Sequence, residues 1–140
     1  MIKTVTPIDN SILVERNFAS KSEVENVLES SLIARKDWSN TSLAERKTLI
    51  EKFVDSFLSN QQEVVETLCR QIGRPISQCP GEMRGFEERA KFMINNSDKA
   101  LENVTSKKDN EFDNFIKKEP LGTIFVIAPW NYPFNTSVNS

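Results

Sequence analysis

Apolar residues recur along most of this chain at the three- and four-residue spacing of helices, and the pattern changes near each end. From Val5 to Arg16 the sequence predicts two short extended pieces, with Pro7 and the Asp9-Asn10 pair supplying turn chemistry between them. Ser20 followed three positions later by Glu23 makes a capping box. Val24, Val27, Leu28, Ser31, Leu32 and Arg35 then fall on one helical stripe, with Trp38 packing where that helix ends. Ser42 and Glu45 repeat the box ahead of an apolar face made by Leu49, Ile50, Phe53, Val54, Phe57 and Leu58. Asn60 and Glu63 predict a cap for a third helix that carries Val64, Val65, Leu68 and Ile72 inward. Gly73 predicts its stop, and Pro75 suits the first turn of a fourth helix. Pro80 lacks a backbone donor, so a kink or restart is expected there. Beyond it Met83, Phe86, Ala90, Met93, Ile94, Ser97 and Leu101 keep helical spacing. The polar stretch from Thr105 to Asn110 predicts a loop, and Glu111 to Glu119 an exposed strand.

From Gly122 to Ala128 the character is different. This β-branched and aromatic run, bounded by Pro120 and Pro129, has no polar alternation and predicts a strand buried on both faces of a parallel sheet. Ligands of open α/β sheets collect at the carboxyl ends of strands, where Pro129-Trp130-Asn131-Tyr132-Pro133 follows. Two prolines stiffen that turn, and the Asn131 amide between them can donate two hydrogen bonds. A rigidly aimed amide is what an oxyanion hole needs. Asn is also a favoured turn residue, so turn statistics alone favour an Asn131 that bonds its own backbone.

Composition narrows the chemistry. The chain has 140 residues, 38% hydrophobic and 27% charged, which suits one globular domain. A net charge of -2 gives no reason to expect nucleic acid, and Lys107-Lys108 and Lys117-Lys118 are only pairs. With no His, the common general base, Ser-His and Cys-His nucleophiles and most zinc sites are excluded, and no metal is expected. Cys69 and Cys79 match no CxxC pattern. Cys69, beside Leu68, is expected to be a buried, inert thiol, and Cys79 has no cationic neighbour close in sequence. The carboxylates from Glu82 to Glu88 read as a solvated face rather than acid–base groups. The apolar runs are too short for a membrane span, and isolated thiols suit a cytoplasmic setting.

Ile127-Ala128-Pro129-Trp130-Asn131-Tyr132-Pro133, preceded by Glu119-Pro120-Leu121-Gly122, resembles the segment that opens the nucleotide-binding domain of aldehyde dehydrogenases. Upstream, the Ser20 to Val24 helix start, Trp38 before Leu43 to Arg46, and Gly73-Arg74-Pro75 before Gly81-Glu82 are similar at lower specificity. The resemblance covers nearly the whole chain but about the first third of a family member. It implies an α/β fold opening a Rossmann-type domain, with this portion mostly helical and carrying a few strands. Residues 1–104 would be the helical part of the cofactor domain, 105–119 an oligomerisation-arm strand, and 120–140 the first buried strand and its turn.

The resemblance also implies roles. Asn131 would be the amide that steadies the thiohemiacetal oxyanion, and Ile127, Ala128, Pro129 and Trp130 would contact the nicotinamide-ribose side of NAD or NADP. For Trp130 a core aromatic is the plainer alternative. The substrate would be an aldehyde, oxidised to an acid, and partners would be other family subunits. The family's reactive Cys, base Glu, ribose-binding Lys and Gly-rich loop lie downstream of this turn, so the chain reads as truncated and inactive alone. A helical interaction module that pairs with intact family subunits is the alternative.

Overall fold

A computed structural model describes residues 1–108 and 112–139 of the chain. The chain opens with β1 (Ile2–Val5) and β2 (Ile12–Arg16), an antiparallel hairpin that sets Ile2 opposite Arg16 and Thr4 opposite Val14. Its turn uses the residues the sequence pointed to. An Asp9 carboxylate oxygen accepts from the Ser11 amide at 2.9 Å, and Asn10 takes φ 62°. Asn tolerates that left-handed backbone because its short polar side chain bonds locally.

Helices α1 (Lys21–Asn40) and α2 (Leu43–Ser59) both start in reciprocal capping boxes. Ser20 and Ser42 accept from the amides of Glu23 and Glu45 at 3.2 Å, and those two carboxylates return to the Ser amides at 2.7 and 2.8 Å. Helix α3 (Gln61–Ile72) departs from expectation, since Asn60 makes no side-chain cap. Asn60 directly follows α2, and its amide donates instead to the Ser56 carbonyl of that helix at 2.8 Å. One side chain between two abutting helices serves the first and leaves the second uncapped. Gly73 ends α3 at φ 71°, as its lack of a Cβ permits.

The fourth helix begins later than Pro75. Pro75 instead opens a tight turn closed by Gln78 N–H donating to its carbonyl at 2.8 Å. Pro80 is then the first residue of α4 (Pro80–Leu101), a position where a missing N–H costs nothing. The proline starts the helix rather than breaking it. Met83, Phe86, Ala90 and Ile94 are buried, whereas Met93 and Leu101 lie about half exposed on the margin of the stripe.

Two of the extended expectations change. Most of the anticipated loop from Thr105 is a strand, β3 (Val104–Lys108), paired antiparallel with β4 (Asp113–Ile116). A two-stranded ribbon can keep both faces in water, so its polar residues imitate loop composition. Residues 109–111, the end of that expected loop and the first residue of the expected strand, lie outside the described residues. The run from Gly122 to Ala128 forms no strand, and Phe125 and Ile127 are 87% and 81% exposed. A strand exists by pairing, and among the described residues no neighbour is aligned with this run.

The core lies where α2, α3 and α4 meet. Val54, Phe86, Ala90 and Ile94 form one cluster and Val65, Leu68, Cys79 and Met83 the other, with Phe57 and Leu58 packed against both. Full burial of a side chain such as Phe86 or Leu68 contributes about 1.5–3 kcal/mol. The α1 stripe, by contrast, buries nothing, and Val27, Leu28 and Leu32 remain more than half exposed. Contact with α1 comes from the run after Pro120, through Thr123 Oγ1 against Ser31 Oγ at 3.2 Å and Arg35 against Gly122.

The hairpin docks at the end of α3, where a Cβ on Gly73 would stand 2.7 Å from Pro7 Cγ. Gly73→Ala combines that clash with a left-handed backbone, so it should cost about 1–3 kcal/mol in urea unfolding. The caps predict a pH effect. Hydrogen bonds from the Ser20 and Ser42 amides, then from their hydroxyls, hold Glu23 and Glu45 below the ordinary 4.5. A depressed folded-state pKa contributes stability above the unfolded value and loses it as pH falls through the folded one. Circular dichroism between about pH 5 and 3 should therefore show a smaller loss of helix for Glu45→Gln than for the parent chain.

Candidate functional site

The Pro129 to Pro133 turn is held on α4 by two residues, Arg74 and Glu82. Arg74 follows the helix-ending Gly73, and Glu82 lies in the first turn of α4. Their side chains meet at 2.6 Å, 12% and 0% exposed respectively. A second guanidinium nitrogen of Arg74 donates to the Asn131 carbonyl, and its central carbon lies 4.4 Å over the Tyr132 ring. The second Glu82 oxygen accepts from the amides of Phe134 at 2.9 Å and Asn135 at 3.4 Å. A cation grips the turn before its second proline and a carboxylate grips it after.

That carboxylate solves a local problem. Helix α5 (Pro133–Ser137) is five residues long, and Tyr132 at its N-cap supplies no side-chain acceptor. The first amides of a helix have no partner within it, so an acceptor must come from elsewhere. Glu82 is that acceptor, and charge strengthens the bonds. Gly85, one turn further along α4, makes room: a Cβ there would lie 3.1 Å from Asn135 Nδ2. Phe134 then reaches the core, its ring 5.2 Å from Phe57, which is 4.8 Å from Phe86. The path after Pro133 is thus a short helix seated on α4, despite its polar Asn135-Thr136-Ser137.

Glu82 is the functional residue that reading for solvated faces misses. It falls four residues before Phe86 on the buried stripe and is 2% exposed, unlike the solvent-facing carboxylate expected there. Its position next to Met83 and in register with Phe86 is the available signal, since a carboxylate on a buried stripe must be paired.

Of the site residues named from sequence, Ile127 is 81% and Trp130 75% exposed, so Trp130 is not a core aromatic in this chain. Pro129 and Asn131 are exposed too, and Ala128 is half-buried. The Asn131 side-chain amide has no hydrogen-bond partner among the described residues, while its main-chain carbonyl is the group that Arg74 holds. The amide is not spent on its own turn.

The thiols stand apart from this turn. Cys79, not Cys69, is the fully buried one, with Cys69 half-buried against the same cluster. Burial pushes the Cys79 thiol above its ordinary 9.0, and the adjacent Cys69 sulfur pushes the same way. Arg74, five residues back, opposes them and is outweighed. A cation does lie near, but burial outweighs it, so Cys79 is a poor nucleophile toward groups outside the core. Among the described residues no group of His, Cys, Asp and Glu could hold a metal ion, and no helix is long and apolar enough to cross a membrane.

The sequence profile described as the Aldehyde dehydrogenase family matches residues 1–140. The chain belongs to the aldehyde dehydrogenase family. An aldehyde dehydrogenase-like protein of Schizosaccharomyces pombe is 27% identical over 138 residues, covering 94% of this chain and 26% of its own length. Vanillin dehydrogenase of Corynebacterium glutamicum is 25% identical over 136 residues, covering 97% of this chain and 28% of that protein. The fold matches the succinic semialdehyde dehydrogenase of Streptococcus pyogenes, solved with NADP+, at a TM-score of 0.88 and 20% identity. That match takes in 98% of this chain and 30% of the other. The chain therefore spans between a quarter and a third of the aldehyde dehydrogenases it resembles, and its α/β family fold is represented here by a mostly helical portion.

Removing one partner of a buried ion pair leaves the other charge uncompensated, which typically costs about 3–5 kcal/mol. Arg74→Met should fall in that range by urea unfolding. The double variant Arg74→Met with Glu82→Leu should cost clearly less than the two single losses added together.

Proposed function

We propose that this chain supplies the oxyanion-side turn and part of the cofactor wall of an NAD(P)-dependent aldehyde-oxidising site, with the nucleophile and general base contributed from outside these 140 residues. The observation that carries the proposal is the clamped turn with a free amide: Arg74 and Glu82 fix the main chain around Asn131 and leave its side chain uncommitted. An amide held this way meets developing negative charge without first having to reorganise.

The residues also fit the nicotinamide-ribose side of the cofactor. No charged residue occurs after Glu119, and Ile127 and Trp130 present exposed apolar surface beside the turn. Such a wall suits the face of a flat ring and would not hold a pyrophosphate. Ile127, Ala128, Pro129 and Trp130 would flank the nicotinamide ribose and help exclude water. When bound, NAD(P)+ accepts the hydride from the substrate. Asn131 would donate from its side-chain nitrogen to the oxygen of the aldehyde as that oxygen gains charge, and release it as the acid forms. A cytoplasmic setting, the allocation of residues 105–119 to an oligomerisation arm and assembly with family subunits belong to the same reading.

The test is a chimera in which residues 1–140 replace the matching stretch of the Corynebacterium glutamicum vanillin dehydrogenase, assayed by cofactor reduction. Losing one oxyanion donor typically costs about 10²–10³ in kcat. Asn131→Ala should show that loss, and the 140-residue chain alone should reduce no cofactor with any aldehyde. An active chimera indifferent to Asn131→Ala would remove the oxyanion role, and turnover by the chain alone would remove the division of labour.

A further inference from the structure

We propose that Cys69 and Cys79 form a thiol pair that peroxide-class oxidants convert to an intramolecular disulfide, closing the loop that carries Arg74. The two residues are ten apart in sequence, yet they pack in one cluster with Val65, Leu68 and Met83. The turn after Gly73 brings them together. The Gly73 amide donates to the Cys69 carbonyl at 2.8 Å and folds the chain back. The Cys79 thiol lies 3.7 Å from the Arg74 carbonyl and 3.5 Å from that of Pro75, which turns it toward the end of α3.

Both side chains belong to the same patch of core, and the Cys69 sulfur is among the groups that, after burial, raise the Cys79 pKa. Neither thiol is used by the proposed aldehyde chemistry, and the inference stands apart from it.

Exposure sets the order of events. Cys69 is half-buried and meets the oxidant first, whereas Cys79 is fully buried with a raised pKa. The Cys69 sulfur attacks one oxygen of hydrogen peroxide, the O–O bond breaks, and a sulfenic acid and water result. The Cys79 sulfur then attacks the Cys69 sulfur. The S–O bond breaks, and the hydroxyl leaves as water with the Cys79 proton. Two thiols lose two hydrogens and one peroxide becomes two waters. The closed loop contains Gly73 and Arg74, so oxidation would tie the residue that grips the Asn131 carbonyl to the buried core.

The experiment uses the reduced 140-residue chain, treated with hydrogen peroxide, alkylated under denaturing conditions and weighed. The expected product is monomeric, lighter by two hydrogens and closed to alkylation at both cysteines. Trypsin, which does not cut before Pro75, should join Phe53–Arg70 to Gln71–Arg84. Reduction should restore both alkylation sites, and unfolding in urea should slow the bridging. Cys79→Ser should leave a sulfenic acid at Cys69 that dimedone traps. The proposal fails if the parent chain gives only sulfenic or sulfinic acid at Cys69 with Cys79 still free. It also fails if only disulfide-linked dimers form, or if unfolding does not slow the bridge.

Discussion

The buried contact between Arg74 and Glu82 is the constraint on which the rest of the candidate site depends. Two ions with little exposure to water carry a desolvation cost of several kcal/mol each, and Coulomb attraction alone rarely offsets it. Here every further bond of the pair is used on the same segment. The Asn131 carbonyl takes one guanidinium N–H, and the first amides of α5 take the remaining carboxylate oxygen. The pair is satisfied only while the turn is in place, and the turn is fixed only while the pair is formed. That reciprocity makes a five-residue helix and a proline-bracketed turn behave as part of α4 rather than as a loose end.

The same dependence reaches back to the first strands. Arg74 is aimed by Gly73, whose left-handed backbone ends α3 and whose missing Cβ admits Pro7 of the opening hairpin. Phe134 runs the other way, carrying α5 into the aromatic contacts of Phe57 and Phe86. The polar clamp, the Gly73–Pro7 approach and the Phe134–Phe57–Phe86 contacts thus connect the hairpin, four helices and the turn. The exposed α1 stripe and the unpaired run from Gly122 to Ala128 take no part in that network, and their apolar side chains still face water.

What the sequence reveals follows from how local each signal is. Ser20 with Glu23 and Ser42 with Glu45 are capping boxes whose partners lie three residues apart, and both form. Asp9-Asn10 and Gly73 are equally local, because a backbone conformation asks for a residue type. Asn60 fails as a cap because two helices share it, a conflict invisible when each helix is read alone. The strand over Gly122 to Ala128 does not appear because hydrophobic composition signals burial, whereas a strand also needs a partner. Glu82 was hidden for a related reason: its partners Arg74, Phe134 and Asn135 are eight, 52 and 53 residues away, and only the fold brings them together.

The clamp also explains why Asn131 can be available at all. An Asn in a tight turn ordinarily satisfies its own backbone, and the side chain is then unavailable to a ligand. Around Asn131 that task passes to Arg74 on one side and Glu82 on the other, both acting through main-chain atoms. Main-chain anchoring fixes where the side chain starts without using either of its N–H groups. Trp130 and Ile127, exposed on the same stretch, likewise keep their side chains largely free of packing. A turn built in this way keeps its shape when a ligand arrives, so the interaction energy goes into binding instead of ordering the loop.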